Sequence, residues 1–336
     1  MQIALVDPQG VHDDVAGEFA EVVNAARAVD SPHESPVSAH HEKDRLRFGW
    51  DDRGADYLLL ARHGGQLAGY AELYLPRWDN PHLATMSLET HPAGRGQGVG
   101  DALLREALSL VAQEGRTVVL GDAWADSHRA AFWQRHGFEV GSRDAQRRLV
   151  MTELDWPRLE DLHRSSLEAS TAYDIIELPM PAPADMMDGL LELHRAMNDA
   201  PTDDLLLEDD MWSEDRARGY EQAMEHRGIR LVRLVARRRG DGELGGHTVV
   251  AIEDERPHLG FQEDTAVVAG HRGHKLGLRL KIEMLKLLAD RERQVTLVDT
   301  WNAESNAHMI AVNDGLGCTV VGRGVEYQKD LATAAQ

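Results

Sequence analysis

The chain has 336 residues, 42% hydrophobic and 28% charged, with 36 Lys+Arg against 57 Asp+Glu and a formal charge of -21. Such a composition excludes a disordered or collagenous chain, the length suggests about two domains, and the acidic balance argues against a nucleic-acid binder, which needs a broad basic face. With Cys318 the single cysteine, no apolar leader and no membrane-length apolar run, the expectation is a cytoplasmic protein with neither nucleic-acid nor membrane partners.

In chain order, a strand at MQIALV precedes a helix over DDVAGEFAEVVNAARAV, and DYLLLAR and QLAGYAELYL read as a hairpin around a Gly-Gly turn. The strand LATMSLET runs into Arg95-Gly96-Gln97-Gly98-Val99-Gly100, which opens a helix with Leu103, Leu104, Ala107, Leu108 and Val111 on one stripe. A strand, TVVLGDAWA, and a short helix ending at Gly137-Phe138 follow. TELDWPRLEDLHRSSLEAS, with Pro157 and few strand formers, reads as a helical connector.

The order then repeats. YDIIELPM is a strand and PADMMDGLLELHRAM a helix; an acidic run, Leu207 to Asp210, leads to Ser213, the expected cap of another helix. A hairpin around Asp241-Gly242 comes next, then the strand GFQEDTAVVA, a turn at His271-Arg272-Gly273-His274-Lys275-Leu276-Gly277-Leu278, and a helix striped by Leu280, Met284, Leu287 and Leu288. A strand, VTLVDTW, and a short helix ending at Gly317-Cys318 close the second copy. Arg95 and Gly137 are 42 positions apart, and Arg272 and Gly317 are 45 apart. An internal repeat of this size divides the chain into 1–153, a connector over 154–172, and 173–336. Up to Val150 there are 15 basic and 22 acidic residues, after it 21 and 35, so both copies are acidic and suited to a cationic small molecule.

A strand entering a glycine turn that opens a helix has a physical use. Glycines let successive main-chain N–H groups face one point, and the helix N-terminus adds partial positive charge, so the turn cradles a pyrophosphate. The missing G-K-[ST] excludes a P-loop, and the position after a hairpin weakens a dinucleotide turn and a nicotinamide dehydrogenase reading. In the second copy Lys275 takes the place of Gly98, where a left-handed conformation would be strained.

The turn, its place after a hairpin, and the downstream helix with Gly-Phe resemble the GCN5-related N-acetyltransferases (GNAT), whose pattern is R/Q-x-x-G-x-G/A. The resemblance covers nearly the whole chain, twice. MNDAP at 197–201, HRGHKLGL and TWNAESNAHMIAVNDGLG are similar to an actinobacterial tandem branch, and mycothiol synthase is a more distant likeness. The resemblance implies an α/β (α+β) fold of two tandem GNAT-like domains, each a mixed, mostly antiparallel central sheet flanked by helices. It implies acetyl-CoA as co-substrate, no metal, and direct transfer of an acetyl group in a ternary complex to a primary amine of a small cationic acceptor. A fused pair fits a monomeric pseudo-dimer or a homodimer.

By the same resemblance, the pyrophosphate lies on Arg95, Gly96, Gln97, Gly98, Val99 and Gly100. In the second copy it lies on His271, Arg272, Gly273, His274, Lys275, Leu276, Gly277 and Leu278, with Val267 and Val268 leading in and Asn302 and Asn306 meeting CoA amides. A bulged strand, Thr85–Thr90 or Gln262–Val268, offers an N–H to the thioester carbonyl. An ammonium needs a base before it attacks, and the carboxylates at hand are Glu89 in the first copy and Glu263 and Asp264 in the second. Strand alternation sends Glu263 and Asp264 to opposite faces, and Asp264 is the favoured base. The family's tyrosine acid falls on Trp133 and Asn313. Indole is too weak an acid, whereas Asn313 can hydrogen-bond the thiolate and Tyr327 is a substitute acid. The expected active copy is therefore the C-terminal one; the alternatives are activity in the N-terminal copy, or a non-catalytic acyl-CoA-binding sensor. His91, His271 and His274 are expected to be loop histidines, and Trp133 and Trp301 core anchors.

Overall fold

The computed structural model describes residues 1–51 and 53–332. They form two units that interleave along the chain: one holds Met1–Asp144, Thr202–Asp209 and the residues from Gly322 on, the other Ala145–Pro201 and Asp210–Val321.

In the first unit, β1 (Gln2–Val6), α1 (Asp13–Asp30) and α2 (Ala39–Phe48) lead into the strands β2 (Tyr57–His63), β3 (Gln66–Tyr74) and β4 (Leu83–Thr90). Then come α3 (Val99–Gln113), β5 (Val118–Trp124), α4 (His128–Arg135) and β6 (Glu139–Val150). Period-2 alternation puts Leu59 and Ala61 of β2 against α3 and α4, with Leu103, Val111 and Trp133, and Leu58 and Leu60 against α1 and α2, with Phe19, Val22 and Leu46. Each such buried aliphatic stabilises by about 1.5–3 kcal/mol before chain entropy is counted. The polar α2 has no apolar stripe; Ser38 caps it, and Arg45 joins Glu42, Glu72 and Tyr74 in a network beneath the sheet.

In the second unit, α5 (Trp156–Ala169) is the helix expected over 154–172, started by Asp155 as cap with Pro at its first turn, and it lies inside this unit rather than between the copies. It is followed by β7 (Tyr173–Glu177), α6 (Met187–Arg195), α7 (Glu214–His226), β8 (Ile229–Arg238), β9 (Leu244–Glu253), β10 (Leu259–Val267), α8 (Leu276–Arg291), β11 (Leu297–Ala303), α9 (Ala307–Leu316) and β12 (Thr319–Asp330). Ser213 caps α7, accepting from the Arg216 N–H. Leu276, Leu280, Met284 and Leu288 of α8 pack on Val232, Leu234, Val250 and Ile252.

Within the units the strand orders are β1-β2-β3-β4-β5-β12 and β7-β8-β9-β10-β11-β6, each mostly antiparallel with one parallel pair inside. The last strands are exchanged. From Gly324 to Asp330, β12 pairs antiparallel with β5 of the first unit, and residues 145–150 of β6 complete the second. The division at 153 and 173 follows the sequence repeats; the units differ from it at these strands because hydrogen-bond partners, not chain order, close a sheet.

Both parallel pairs open into a V. The pairing of β4 with β5 runs from Leu83↔Val118 to Met86↔Gly121, although β4 continues to Thr90. That of β10 with β11 runs from Leu259↔Leu297 to Gln262↔Thr300, although β10 continues to Val267. Beyond those points the inner main-chain groups no longer pair across the gap, which leaves room for another chain-like molecule to hydrogen-bond there. Among the described residues, no helix is long and apolar enough to cross a membrane.

Candidate active site

In the first unit the glycine turn curls as its sequence suggests. Gly96 has φ 74° and Gly98, the N-cap of α3, has φ 78°. A β-carbon at either would meet no protein atom within 4 Å, because both line a cavity of about 240 Å³ with Gly100, Thr90, His128 and Arg135. The first-turn N–H groups of α3 have no intrahelical partner, so the cavity is walled by donors and a helix N-terminus, which fits a diphosphate. Arg95 also lines this space, but its guanidinium is tied to Asp30 of α1 and, at 3.4 Å, to Glu89 of β4. Gln97 donates to the Ala93 carbonyl at 2.9 Å, and Val99 is buried under the helix.

A second cavity, also about 240 Å³, lies between α1, α2 and the sheet and shares Glu89 and Arg129 with the first. Its charged lining is Asp30, Glu34, Glu42, Glu89 and Asp122 against Arg27, Arg45 and Arg129. Arg129 bridges Glu89 at 3.3 Å and Asp122 at 3.0 Å. Trp133 is 0% exposed and donates its indole N–H to the Asp122 carbonyl at 3.0 Å, so it is a core anchor. Burial, with the charges of Glu72 and Glu89, pushes the Tyr70 phenol well above its ordinary range. The bulge expected in Thr85–Thr90 is not there. The β3–β4 register runs unbroken from Gly69↔Thr90 to Tyr74↔Thr85, because no extra residue is inserted on either strand.

In the second unit the turn keeps its curl with Gly273 at φ 84° and Lys275, the N-cap of α8, at φ 54°. Lys275 adopts the left-handed conformation, and its Nζ donates to Ser165 Oγ at 2.6 Å. Side chains around it are engaged within the protein: Arg272 with the Val267 carbonyl at 3.1 Å and with Asp199, and His274 with the Ala169 carbonyl at 3.2 Å. His271 is buried with Nδ1 2.9 Å from the Tyr173 hydroxyl, and Leu276 is buried. Val268 leads into the turn, and Gly277 and Leu278 lie in the first turn of α8. His91, in the first unit, caps the turn there by accepting from the Ala93 N–H at 3.2 Å.

Here the bulge is present. Between Gln262 and Thr265 the register shifts, so Glu263 and Asp264 together stand against Val249. A bulge breaks strict alternation at this pair, and the charges of both carboxylates help burial raise the Tyr220 phenol. Glu263 is exposed by surface area yet ringed by protein at longer range; desolvation there and the charge of Asp264 raise it to about 7. Burial acts to raise Asp264 too, but the neighbouring His194 and His247 outweigh it and hold Asp264 below its ordinary value. His194 Nδ1 is 3.6 Å from Asp264, and the ring stacks on Trp212 with centroids 3.9 Å apart.

Asn313, 0% exposed, donates to Asn302 Oδ1 at 2.5 Å, while Asn306 is committed to capping α9. Tyr327 does not belong to the unit that holds Asp264. It lies on the exchanged part of β12, 1% exposed in the core of the first unit, where Gln134 Nε2 donates to its hydroxyl at 3.3 Å. Trp301 is 45% exposed and anchors no core. Sequence reasoning missed Arg129, whose one signal is its place a turn before Trp133 on the same face of α4, and it missed the His194–His247 pair behind the bulge.

Residues 25–138, which include the turn, Glu89 and Arg129, match the Acetyltransferase (GNAT) family. A mycothiol acetyltransferase of Nocardia farcinica is 39% identical over 114 residues, 34% of this chain and 35% of that one. One of Sanguibacter keddieii is 34% identical over 110 residues, 33% of this chain and 32% of that one. The chain thus matches about a third of the length of these curated relatives. A tandem GNAT protein from the clavulanic acid biosynthesis pathway shares the fold with TM-score 0.78 over 98% of both chains at 24% identity. A GCN5-related N-acetyltransferase from Sphaerobacter thermophilus does so with TM-score 0.70 over 98% of this chain and 96% of that one, at 16% identity.

Proposed function

We propose that this chain is a tandem GNAT protein that moves an acetyl group from acetyl-CoA directly to the primary amine of a small cationic acceptor, and that its N-terminal unit does so. The observation carrying this reading is that a donor-lined cavity on the glycine turn and an acid-rich cavity between the helices meet at Glu89 and Arg129. Bound acetyl-CoA supplies an acyl group activated as a thioester. The turn N–H groups from Gly98 onward hold its diphosphate, and the V between β4 and β5 receives the chain that follows. Five carboxylates against three guanidiniums leave the acceptor cavity net negative, which favours a cation. Glu89, at the junction, takes the proton that the ammonium must lose, directly or through one water. The relatives' name, mycothiol acetyltransferase, supports acetyl transfer as the reaction class.

Incubation with acetyl-CoA and a panel of mono- and polyamines, following free thiol, tests this. Thiol release that depends on the amine, and that falls at least about 100-fold in Glu89→Gln while CoA affinity is kept, is the expected result. CoA binding without thiol release for any amine would leave a non-catalytic acyl-CoA-binding protein, and absence of CoA binding would refute both. One observation favours a second reading, transfer in the C-terminal unit: the bulge there carries Glu263 and Asp264. On that reading Glu263→Gln, not Glu89→Gln, abolishes thiol release.

A further inference from the structure

We infer that Arg129 is a catalytic residue of the N-terminal unit, whose guanidinium donates hydrogen bonds to the thioester oxygen as it gains charge and to the sulfur as it leaves; this rests on the reading above. Three features of the unit converge on it. The strand β4 pairs with β3 in unbroken register, so no bulge turns a main-chain N–H toward the acyl group. The α4 residue that could face the sulfur, Trp133, is fully buried with its N–H already given to the Asp122 carbonyl. Arg129 lines both cavities, and with Glu89 it marks the point where they meet. An acyl carbon attached in one cavity and attacked from the other has to lie at that junction.

The guanidinium is also fixed in place. Ser127 caps α4, accepting from the Ala130 N–H at 3.2 Å, which sets the first turn on which Arg129 stands. Glu89 and Asp122 grip it from two sides, at 3.3 and 3.0 Å, and use two of its five N–H donors. Donors held rigidly before the reaction cost no reorganisation during it, which is the condition for strong stabilisation of developing charge. A guanidinium keeps its protons throughout the working pH range, so it polarises without serving as an acid.

The transfer balances on this assignment. The amine lone pair forms the N–C bond while the carbonyl pair moves onto oxygen, facing Arg129. Collapse re-forms C=O and breaks C–S, the sulfur leaving with the bonding pair, again facing Arg129. Glu89, having given the ammonium's proton to solvent, takes the nitrogen's surplus proton and passes it to the thiolate.

The test uses the full chain. Arg129→Gln is expected to lower kcat about 10²–10³-fold, the usual effect of removing one such donor, while the CoA Kd by calorimetry and the KM for acetyl-CoA change less than about threefold. Arg129→Lys recovers part of kcat, and millimolar guanidinium restores turnover to Arg129→Ala, a rescue that a purely structural role does not produce. A kcat within about threefold of wild type in Arg129→Gln overturns the assignment, as does a loss confined to KM or Kd, or a folded Arg129→Ala that guanidinium leaves inert. Failure of the underlying reading shows separately, since wild type would then release no thiol with any amine.

Discussion

Replacing Gly98 by alanine separates the two uses a left-handed glycine can have. At φ 78° an alanine pays the left-handed penalty, about 1–2 kcal/mol, which for a unit of this size is a fall of roughly 2–8 °C in Tm. The new β-carbon meets no protein atom within 4 Å and projects instead into the cavity over the turn. Hydrogen bonds to charged groups contribute about 1.5–3 kcal/mol each, so displacing a diphosphate from one N–H weakens CoA binding about ten- to hundredfold. Gly64 supplies the control. It has φ 61° in the β2–β3 turn, its β-carbon would also meet nothing, and it is not part of the cavity lining. Gly64→Ala should therefore lower Tm by the same amount and leave CoA binding intact. Calorimetric titration of CoA into both variants decides the matter, and equal affinities would show that the turn holds no diphosphate.

Lys281 is 5% exposed on α8, and burial lowers its pKa from 10.5 to about 8. Folding therefore penalises the charged form: the cost is complete below pH 8 and fades as pH climbs toward 10.5. At 1.36 kcal/mol per unit the penalty is about 3 kcal/mol, so Lys281→Met should stabilise by about 1–3 kcal/mol at pH 7 in urea unfolding, with the gain vanishing near pH 10.5. Trp133→Phe removes the donor to the Asp122 carbonyl and leaves a small void, costing about 1–3 kcal/mol; an unchanged melting temperature would count against the anchor. Glu263 binds its proton more tightly when folded, at about 7 against 4.5, so it favours folding most below pH 4.5 and loses that contribution as pH rises through 7. Unfolding curves of wild type and Glu263→Gln taken from pH 4.5 to 8 should therefore diverge as pH rises, the variant becoming the more stable, and parallel curves would refute the shift.

The repeat, the two turns, the helix around Pro157 and the Ser213 cap were legible because each rests on local chemistry: apolar period, glycine spacing, a side-chain oxygen before an acidic turn. What escaped depends on partners distant in sequence. The helix α2 buries Leu46 but has no apolar stripe, and it is held by Arg45 reaching Glu72, a contact 27 residues away. A single inserted residue decides whether β4 or β10 is the bulged strand, and composition cannot reveal it. The motif position of Arg95 does not reveal the acid that its guanidinium meets, Asp30, which sits at the end of α1, 65 residues earlier. Tyr327 was assigned by copy, whereas its strand pairs with β5 of the other copy.

That exchange of final strands bears on biosynthesis. Residues 1–144 leave the ribosome with one flank of β5 unfilled, because the segment that covers it begins at Gly322. At 5–20 residues per second the wait is roughly ten to forty seconds, during which an exposed strand edge invites wrong pairing. A truncated first half should consequently be insoluble when expressed by itself, yet recoverable when a peptide spanning 319–332 is supplied during refolding.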